Sequence, residues 1–253
     1  MQRYSITRDA IVIFVLQLAA HISLIALLFI GTWWQWCVVM LMYFLNGCIG
    51  MTMTYHKLLS HRSWEPPSWF MPVGVLCATI GLTGPAIAWV AIHREHHRYT
   101  DKPEDPHSPH HGGWFRAHYL SMFVPVNLRY GTDLMRIPFL RWQQKWYFAV
   151  NAAWAIICYA IDPMAVLYAW LVPAAVLWNA GSSIVTFAHM IGYKNSDGEN
   201  EAHNNALLAF LVWGEGWHDN HHARPASADF GGRNWWEFDI SYAVIKLLTL
   251  GRT

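Results

Sequence analysis

Two stretches of this 253-residue chain place imidazoles in the same pattern. "AIHREHHRYTD" (91–101) carries His93, His96 and His97, and "EGWHDNHHARP" (215–225) carries His218, His221 and His222. On a helix, positions three and four apart are neighbours, so each triplet aims three ring nitrogens along one stripe. At 15 histidines in 253 positions, one HxxHH has a chance expectation of about 0.05 and two of about 0.001. Coincidence explains the pair poorly. A surface metal-storage or buffering role is a second reading, and a catalytic metal centre is the preferred one. "TYHKLLSHRSW" (54–64) adds His56 and His61, and a lone His189 follows the last long apolar run. Five residues advance a regular α-helix by roughly 140° beyond a full turn. His56 and His61 therefore cannot share a face of such a helix. Either its end is unwound there, or each serves a different metal.

Eight or nine neutral nitrogen donors exceed what one ion takes. Structural zinc sites use four ligands and favour cysteine, whereas imidazole suits iron, copper, nickel and zinc alike. Two iron ions with positions left open for O2 fit the donor count, and zinc can replace them in purified material. Glu95, Asp101, Asp105, Glu215 and Asp219 interleave the triplets and are expected as acceptors for outer imidazole N–H groups, which fixes the tautomer; solvated loop carboxylates are the plain alternative. His21, alone in the first apolar run, reads as an interhelix polar contact. His107, His110, His111, His118 and His203 read as loop or cap residues, with His107 the candidate for a supporting role at the metals.

The elements that must position these groups are apolar. The chain is 55% hydrophobic and only 13% charged, about half the charge of a soluble domain. A net charge of +1 suggests no strongly charged partner and argues against nucleic acid. The four cysteines, Cys37, Cys48, Cys77 and Cys158, sit in apolar runs without a CxxC pair and read as buried small hydrophobes. No Lys or Arg occurs between Arg8 and Lys57 or between Lys145 and Lys194, two gaps of 48 residues. A membrane span needs roughly 20 apolar residues, so each gap holds two spans and a turn. The expected spans are 10–31, 34–56, 146–162 and 164–187. The turns fall at "GTWWQW" (31–36), with Trp33, Trp34 and Trp36 as an interfacial belt, and at "IDPM" (161–164), where Asp162 and Pro163 break the helix. Lys and Arg outside the gaps place both termini, the middle segment and the site on the cytoplasmic side. The uncharged segment 66–92 is interrupted by Pro66, Pro67, Pro72, Gly74, Gly81, Gly84 and Pro85, and is expected to be re-entrant or interfacial rather than a fifth span. No signal peptide is expected, because the first apolar run is too long and lacks a cleavage site.

HxxxxH, HxxHH and HxxHH, in this order around two apolar hairpins, resemble the integral-membrane acyl desaturases of the stearoyl (delta-9) type. "GPAIAWVAIHREHHRYTDKPEDPHSP" (84–109), "GEGWHDNHHARP" (214–225) and "WWEFDISYAVIKLL" (235–248) resemble the bacterial branch nearly throughout, and the likeness runs from about residue 9 to the C-terminus. The resemblance implies an all-α integral membrane protein. Four transmembrane helices form two hairpins, and a cytoplasmic helical cap (57–145 and 188–253) carries the histidine clusters, all in one domain, 1–253. It implies a di-iron centre on His56, His61, His93, His96, His97, His189, His218, His221 and His222, with their division between the irons open. Relatives often carry Asn four residues before the lone histidine, holding an iron-bound water. Here that position is Val185, so Ser183 or Thr186 would hold the water, or the iron is more open.

The chemistry implied is O2-dependent introduction of a cis double bond, at delta-9, into a saturated C16 or C18 chain carried on coenzyme A, carrier protein or lipid. A methylene offers no acidic proton, so the metal supplies the oxidising power and the protein supplies position and dryness. Tunnel walls are expected from Trp64, Trp69, Trp89, Trp114 and Trp178, with core packing or interfacial anchoring as the plainer reading of each. Arg94, Arg98 and Arg116 are candidates for a headgroup phosphate or a redox partner. With no electron-carrier module or nucleotide fingerprint in the sequence, electrons are expected from a separate donor of ferredoxin or cytochrome b5 type. A hydroxylase or ketolase on the same scaffold, and a non-catalytic membrane metal-binding or transport protein, are the rival readings.

Overall fold

The computed structural model describes residues 7–250; the outermost residues of the expected single domain, 1–6 and 251–253, lie outside the described residues. The described chain is all-helical, with isolated β-bridges and no named strand. Three helices are long and apolar enough to cross a membrane: α1 (Arg8–Ile30), α2 (Trp33–Ser60) and α8 (Leu167–His189). Thr7 caps α1, its hydroxyl accepting from Ala10 N. Gly31 ends it, and Gln35 Oε1 accepts from Thr32 N to start α2. Val15, Leu18, Ile22 and Ile25 stand exposed along one flank of α1, the apolar surface that a helix facing lipid presents.

The third expected span, 146–162, falls on α7 (Pro138–Ile161). Its 24 residues reach about 36 Å at 1.5 Å per residue, yet its first turns carry Arg141, Gln143, Gln144 and Lys145. Only its later part is apolar, with Ile156, Ile157 and Ile161 exposed. Asp162 closes the turn as its position next to Pro163 suggests: its carboxylate accepts from Met164 N and Tyr168 OH, at 3.0 and 2.9 Å.

The uncharged 66–92 segment is not one helix. It divides into α3 (Phe70–Ile80) and the start of α4 (Ala86–Tyr99), broken at Gly81–Pro85. Eleven residues reach only about 17 Å, too short for a bilayer core. α3 lies against α2 through glycines: a Cβ on Gly50 would strike the Ala78 backbone, and one on Gly74 would strike Thr54. Short helices complete the chain: α5 (Pro109–Gly112), α6 (Trp114–Tyr119), α9 (Ala206–Leu211), α10 (His218–Ala223) and α11 (Ile240–Thr249).

From Phe44 to Ser60, α2 is wound as a π-helix, with bonds spanning five residues instead of four. Thr54 Oγ1 and Ser60 Oγ donate to carbonyls five residues back, on Ile49 and Tyr55, both at 2.8 Å. His61 N likewise donates to His56 O. This winding brings positions five apart nearly into register. It removes the choice drawn from a regular helix: the end is not unwound, and His56 and His61 face the same place.

One buried cation fastens this helix to the end of the chain. Lys57 Nζ donates to Asp239 Oδ2 (2.7 Å), Ser241 Oγ (2.7 Å) and Ala228 O (2.8 Å), and sits 4.1 Å above the Phe230 ring. Both charged side chains are completely buried. Asp239 also caps α11 by accepting from Tyr242 N. Removing one partner of a buried pair strands the other charge. Lys57→Met is therefore expected to lower stability by roughly 3–5 kcal/mol, read by denaturant unfolding of the detergent-solubilised protein. The exposed control Lys102→Met is expected to change little.

Candidate metal centre

α2 and α8 both end at the site, presenting His56, His61 and His189, while α4 and α10 each lay one triplet across it. The nine histidines gather into two groups whose ligand-capable atoms lie within 4.8 Å of one another: His56, His61, His93, His97 and His221, and beside them His96, His189, His218 and His222. Each triplet serves both groups. On α4 the i, i+4 pair His93/His97 enters the first and His96 the second; on α10 the pair His218/His222 enters the second and His221 the first.

The rings converge through Nε2. His56 and His97 approach His221 at 3.0 and 2.9 Å, and His61 approaches His93 at 2.8 Å. In the second group, His189 and His222 approach His218 at 3.0 and 3.1 Å, and His96 approaches His222 at 3.4 Å. The opposite nitrogens explain the polarity. His56 Nδ1 donates to Glu215 (2.7 Å), His96 Nδ1 to Asp105 (2.8 Å) and His189 Nδ1 to Asp101 (3.0 Å). A neutral ring that spends its proton on Nδ1 turns a lone pair inward from Nε2. Inward lone pairs repel unless a cation sits among them, so this donor set fits a pair of metal ions.

Burial keeps the rings in the donor form. It pulls His93, His97, His218, His221 and His222 well below the ordinary histidine range, and neighbouring imidazoles add to the effect. His61 falls to about 3, through burial first and the Arg94 charge second. Burial pushes Glu215 up to about 8 against the opposing charge of Lys57. For Asp105, burial would raise the carboxyl, but its contacts with His96 and His107 hold it below its usual range.

Three of the five interleaved acids thus support imidazoles and two do not. Among the described residues, Glu95 accepts only from Asn127 Nδ2, at 3.3 Å. Asp219 points away, taking the Asn195 and Ser196 amides and the Ser196 hydroxyl, which fastens the 193–196 loop to α10. Asp101, at φ +57° just after α4, adopts a backbone that Asp tolerates better than most residues, and this aims its carboxylate back at His189. His21 is an interhelix contact, bonded to Gln17 O and Asn179 Nδ2. His110 ties α5 to the end of α8 through His189 O. Arg94 is spent on Asp133 and the Leu59, Ser60 and Tyr130 carbonyls, clamping the end of α2 to α4, which leaves the headgroup role unsupported.

The site opens in two directions. A cavity of about 430 Å³ touches His56, His93, His96 and His218 and runs between apolar walls that include Leu177, Trp178 and Val185. Of the five tryptophans expected in a tunnel, Trp89 and Trp178 line it, and Trp89 also stacks on His93 at 5.0 Å. Trp64 is a core residue bonded to Met53 O, Trp69 is exposed, and Trp114 stacks on His118. Trp213, not anticipated, is a third aromatic wall. On the other side a surface groove of about 660 Å³ exposes the edges of His61, His97 and His222 between Arg98, Lys102 and Glu201.

The profile of the family described as fatty acid desaturase matches residues 31–246. The chain is 33% identical over 241 residues to the sn-2 palmitoyl-lipid 9-desaturase of Nostoc sp., covering 89% of this chain and 84% of that protein. It is 32% identical over 238 residues to the sn-1 stearoyl-lipid 9-desaturase of Synechocystis sp., covering 90% and 74%. It is 33% identical over 230 residues to the delta-9 acyl-lipid desaturase 2 of Arabidopsis thaliana, covering 88% and 74%.

Histidines buried neutral must take up protons when the chain unfolds in acid, because their folded affinity for protons lies below the unfolded one. Their contribution is complete above about pH 6.5 and is lost progressively as pH falls toward the folded value of about 3 for His61. The midpoint of thermal unfolding of the metal-free protein is expected to change little between pH 7.5 and pH 6.5 and to drop steadily from pH 6.5 to pH 5. A flat profile contradicts this account of the cluster.

Proposed function

The chain belongs to the fatty acid desaturase family, and we propose that it is an O2-dependent acyl-lipid desaturase that forms a cis double bond at delta-9 of a saturated C16 or C18 chain. That it is a desaturase follows from the family and from its relatives. Position and carrier rest on the names of those relatives, which favour a glycerolipid over coenzyme A or carrier protein. The observation that carries the reading is the meeting of the apolar cavity with both histidine groups: His56 and His93 of the first and His96 and His218 of the second line its wall.

Two iron ions held by the nine histidines would supply the oxidising power that removes two hydrogens from neighbouring methylenes. The rest falls to the protein. Glu215, Asp105 and Asp101 fix three imidazoles in the donor tautomer. Trp89 braces His93, and the Phe230 ring packs 4.3 Å from His221. The apolar walls seat a methylene chain, keep water out and set which bond meets the metals, a choice sensitive to small displacements. The groove over His61, His97 and His222 gives a separate electron donor of ferredoxin or cytochrome b5 type an approach that does not cross the acyl cavity.

In this reading α1, α2, α7 and α8 span the bilayer as two hairpins, with both termini and the site on the cytoplasmic side. Segments 57–145 and 188–253 form the cap, and 66–92 lies shallow. Tags at either end are then expected to be accessible from the cytoplasm in intact cells; protection of one of them overturns the topology.

For the activity, the lipids of a host making the protein are expected to gain chains two hydrogens lighter, with the double bond located by fragmentation. His96→Ala and His221→Ala, one from each group, are expected to abolish them. Chains one oxygen heavier would instead indicate a hydroxylase.

A further inference from the structure

The two histidine groups are unequal, with five rings in one and four in the other. A metal with fewer protein ligands keeps a position open, and the four-ring group borders the acyl cavity through His96 and His218. The neighbouring α8 residue on that wall is Val185, which has no polar atom. The hydroxyls on either side of it are committed to their own helix: Ser183 Oγ donates to Asn179 O at 2.6 Å and Thr186 Oγ1 to Ser182 O at 2.8 Å.

His107, like Trp213 and His218 on the same cavity wall, keeps a buried ring nitrogen with no hydrogen-bond partner among the described residues. His107 is buried and stacks on His96, with ring centroids 4.6 Å apart at 28°. Its backbone, not its ring, is anchored: His107 N donates to Asp105 Oδ1 at 3.0 Å, while Asp105 Oδ2 takes His96 Nδ1. The same carboxylate therefore sets both rings side by side. His107 Nδ1 has no hydrogen-bond partner among the described residues, its closest carboxylate oxygen being 3.9 Å away. A ligand-capable atom of His107 lies within 4.8 Å of one from His96 and one from Asp105, although His107 is not grouped with His189, His218 and His222. Burying an imidazole with an unspent nitrogen is unfavourable unless something bonds to it.

We infer that His107 is a positioning residue that hydrogen-bonds the small ligand, water or anion, in the open position of the metal held by His96, His189, His218 and His222. This rests on the two-metal reading above. Phe and Asn separate the roles of the ring: His107→Phe preserves the stack on His96 without a nitrogen, and His107→Asn restores a polar group.

The test uses the full chain in detergent, loaded with Co²⁺ in place of iron. Metal content is measured per chain, and azide binding is followed in the visible spectrum. The unaltered protein and both variants are expected to hold two cobalt ions. Azide affinity is expected to fall about tenfold or more in His107→Phe, the size of one lost hydrogen bond to a charged group, and to recover in part in His107→Asn. Equal azide affinity in His107→Phe overturns the inference and leaves the ring a packing residue. Loss of one cobalt from His107→Phe overturns it by making His107 a ligand or a scaffold for one. No azide response in the unaltered protein, with both ions bound, overturns it while leaving the two-metal reading intact. Fewer than two ions in the unaltered protein overturns that reading, and the inference with it.

Discussion

The constraint that organises this protein is the mutual repulsion of lone pairs. Nine imidazoles are brought together with Nε2 atoms facing one another, and the three rings that spend their Nδ1 proton on a carboxylate turn bare lone pairs into the cluster. It fits cations at the two foci and calls for an outer shell that holds the rings against drift. Glu215, Asp105 and Asp101 supply part of that shell. Lys57 contributes at one remove: its bonds to Asp239, Ser241 and Ala228 O draw the C-terminal segment beneath the first group. That brings Phe230 against both His56 and His221.

Much of this was legible in the residues. Spacings of three and four between histidines announce one face of a helix. The two stretches without Lys or Arg announce long apolar helices, and α1, α2 and α8 are long and apolar enough to cross a membrane. The prolines and glycines of 66–92 suggest a re-entrant or interfacial segment, and the structure divides it into α3 and the start of α4. What escaped the sequence reading lies mostly in geometry that periodicity does not encode. The interval between His56 and His61 looks wrong for any helix until bonds span five residues. Glu95 and Asp219 sit in the same kind of context as Asp105, and only the folded backbone separates acids that face the rings from acids that face a loop. Trp89, Trp178 and Trp213 line the cavity, while Trp64 is used for packing, because tryptophan serves both purposes equally well. Lys57, adjoining a candidate ligand in an apolar helix, was a signal that could have been used: a charge there needs a partner.

Separating the two openings has a physical logic. An alkyl chain wants a dry, narrow, apolar wall, whereas a redox protein approaches over a wet and charged surface. Under the proposed function, the cavity walled by Trp178, Val185 and Leu177 would meet the first need, and the groove bordered by Arg98, Lys102 and Glu201 the second. The rings between them form a partition with one side in each environment.

The way each triplet is shared has a consequence of its own. Because α4 and α10 each divide their rings between the groups, neither focus is an independent receptor. An ion settling at one would fix the pitch and roll of both helices, and so would pre-arrange donors for the other. Under the two-metal reading proposed above, the two ions would be thermodynamically linked: the scarce species would be the half-filled protein, and scarcity of metal would divide a population into empty and complete molecules.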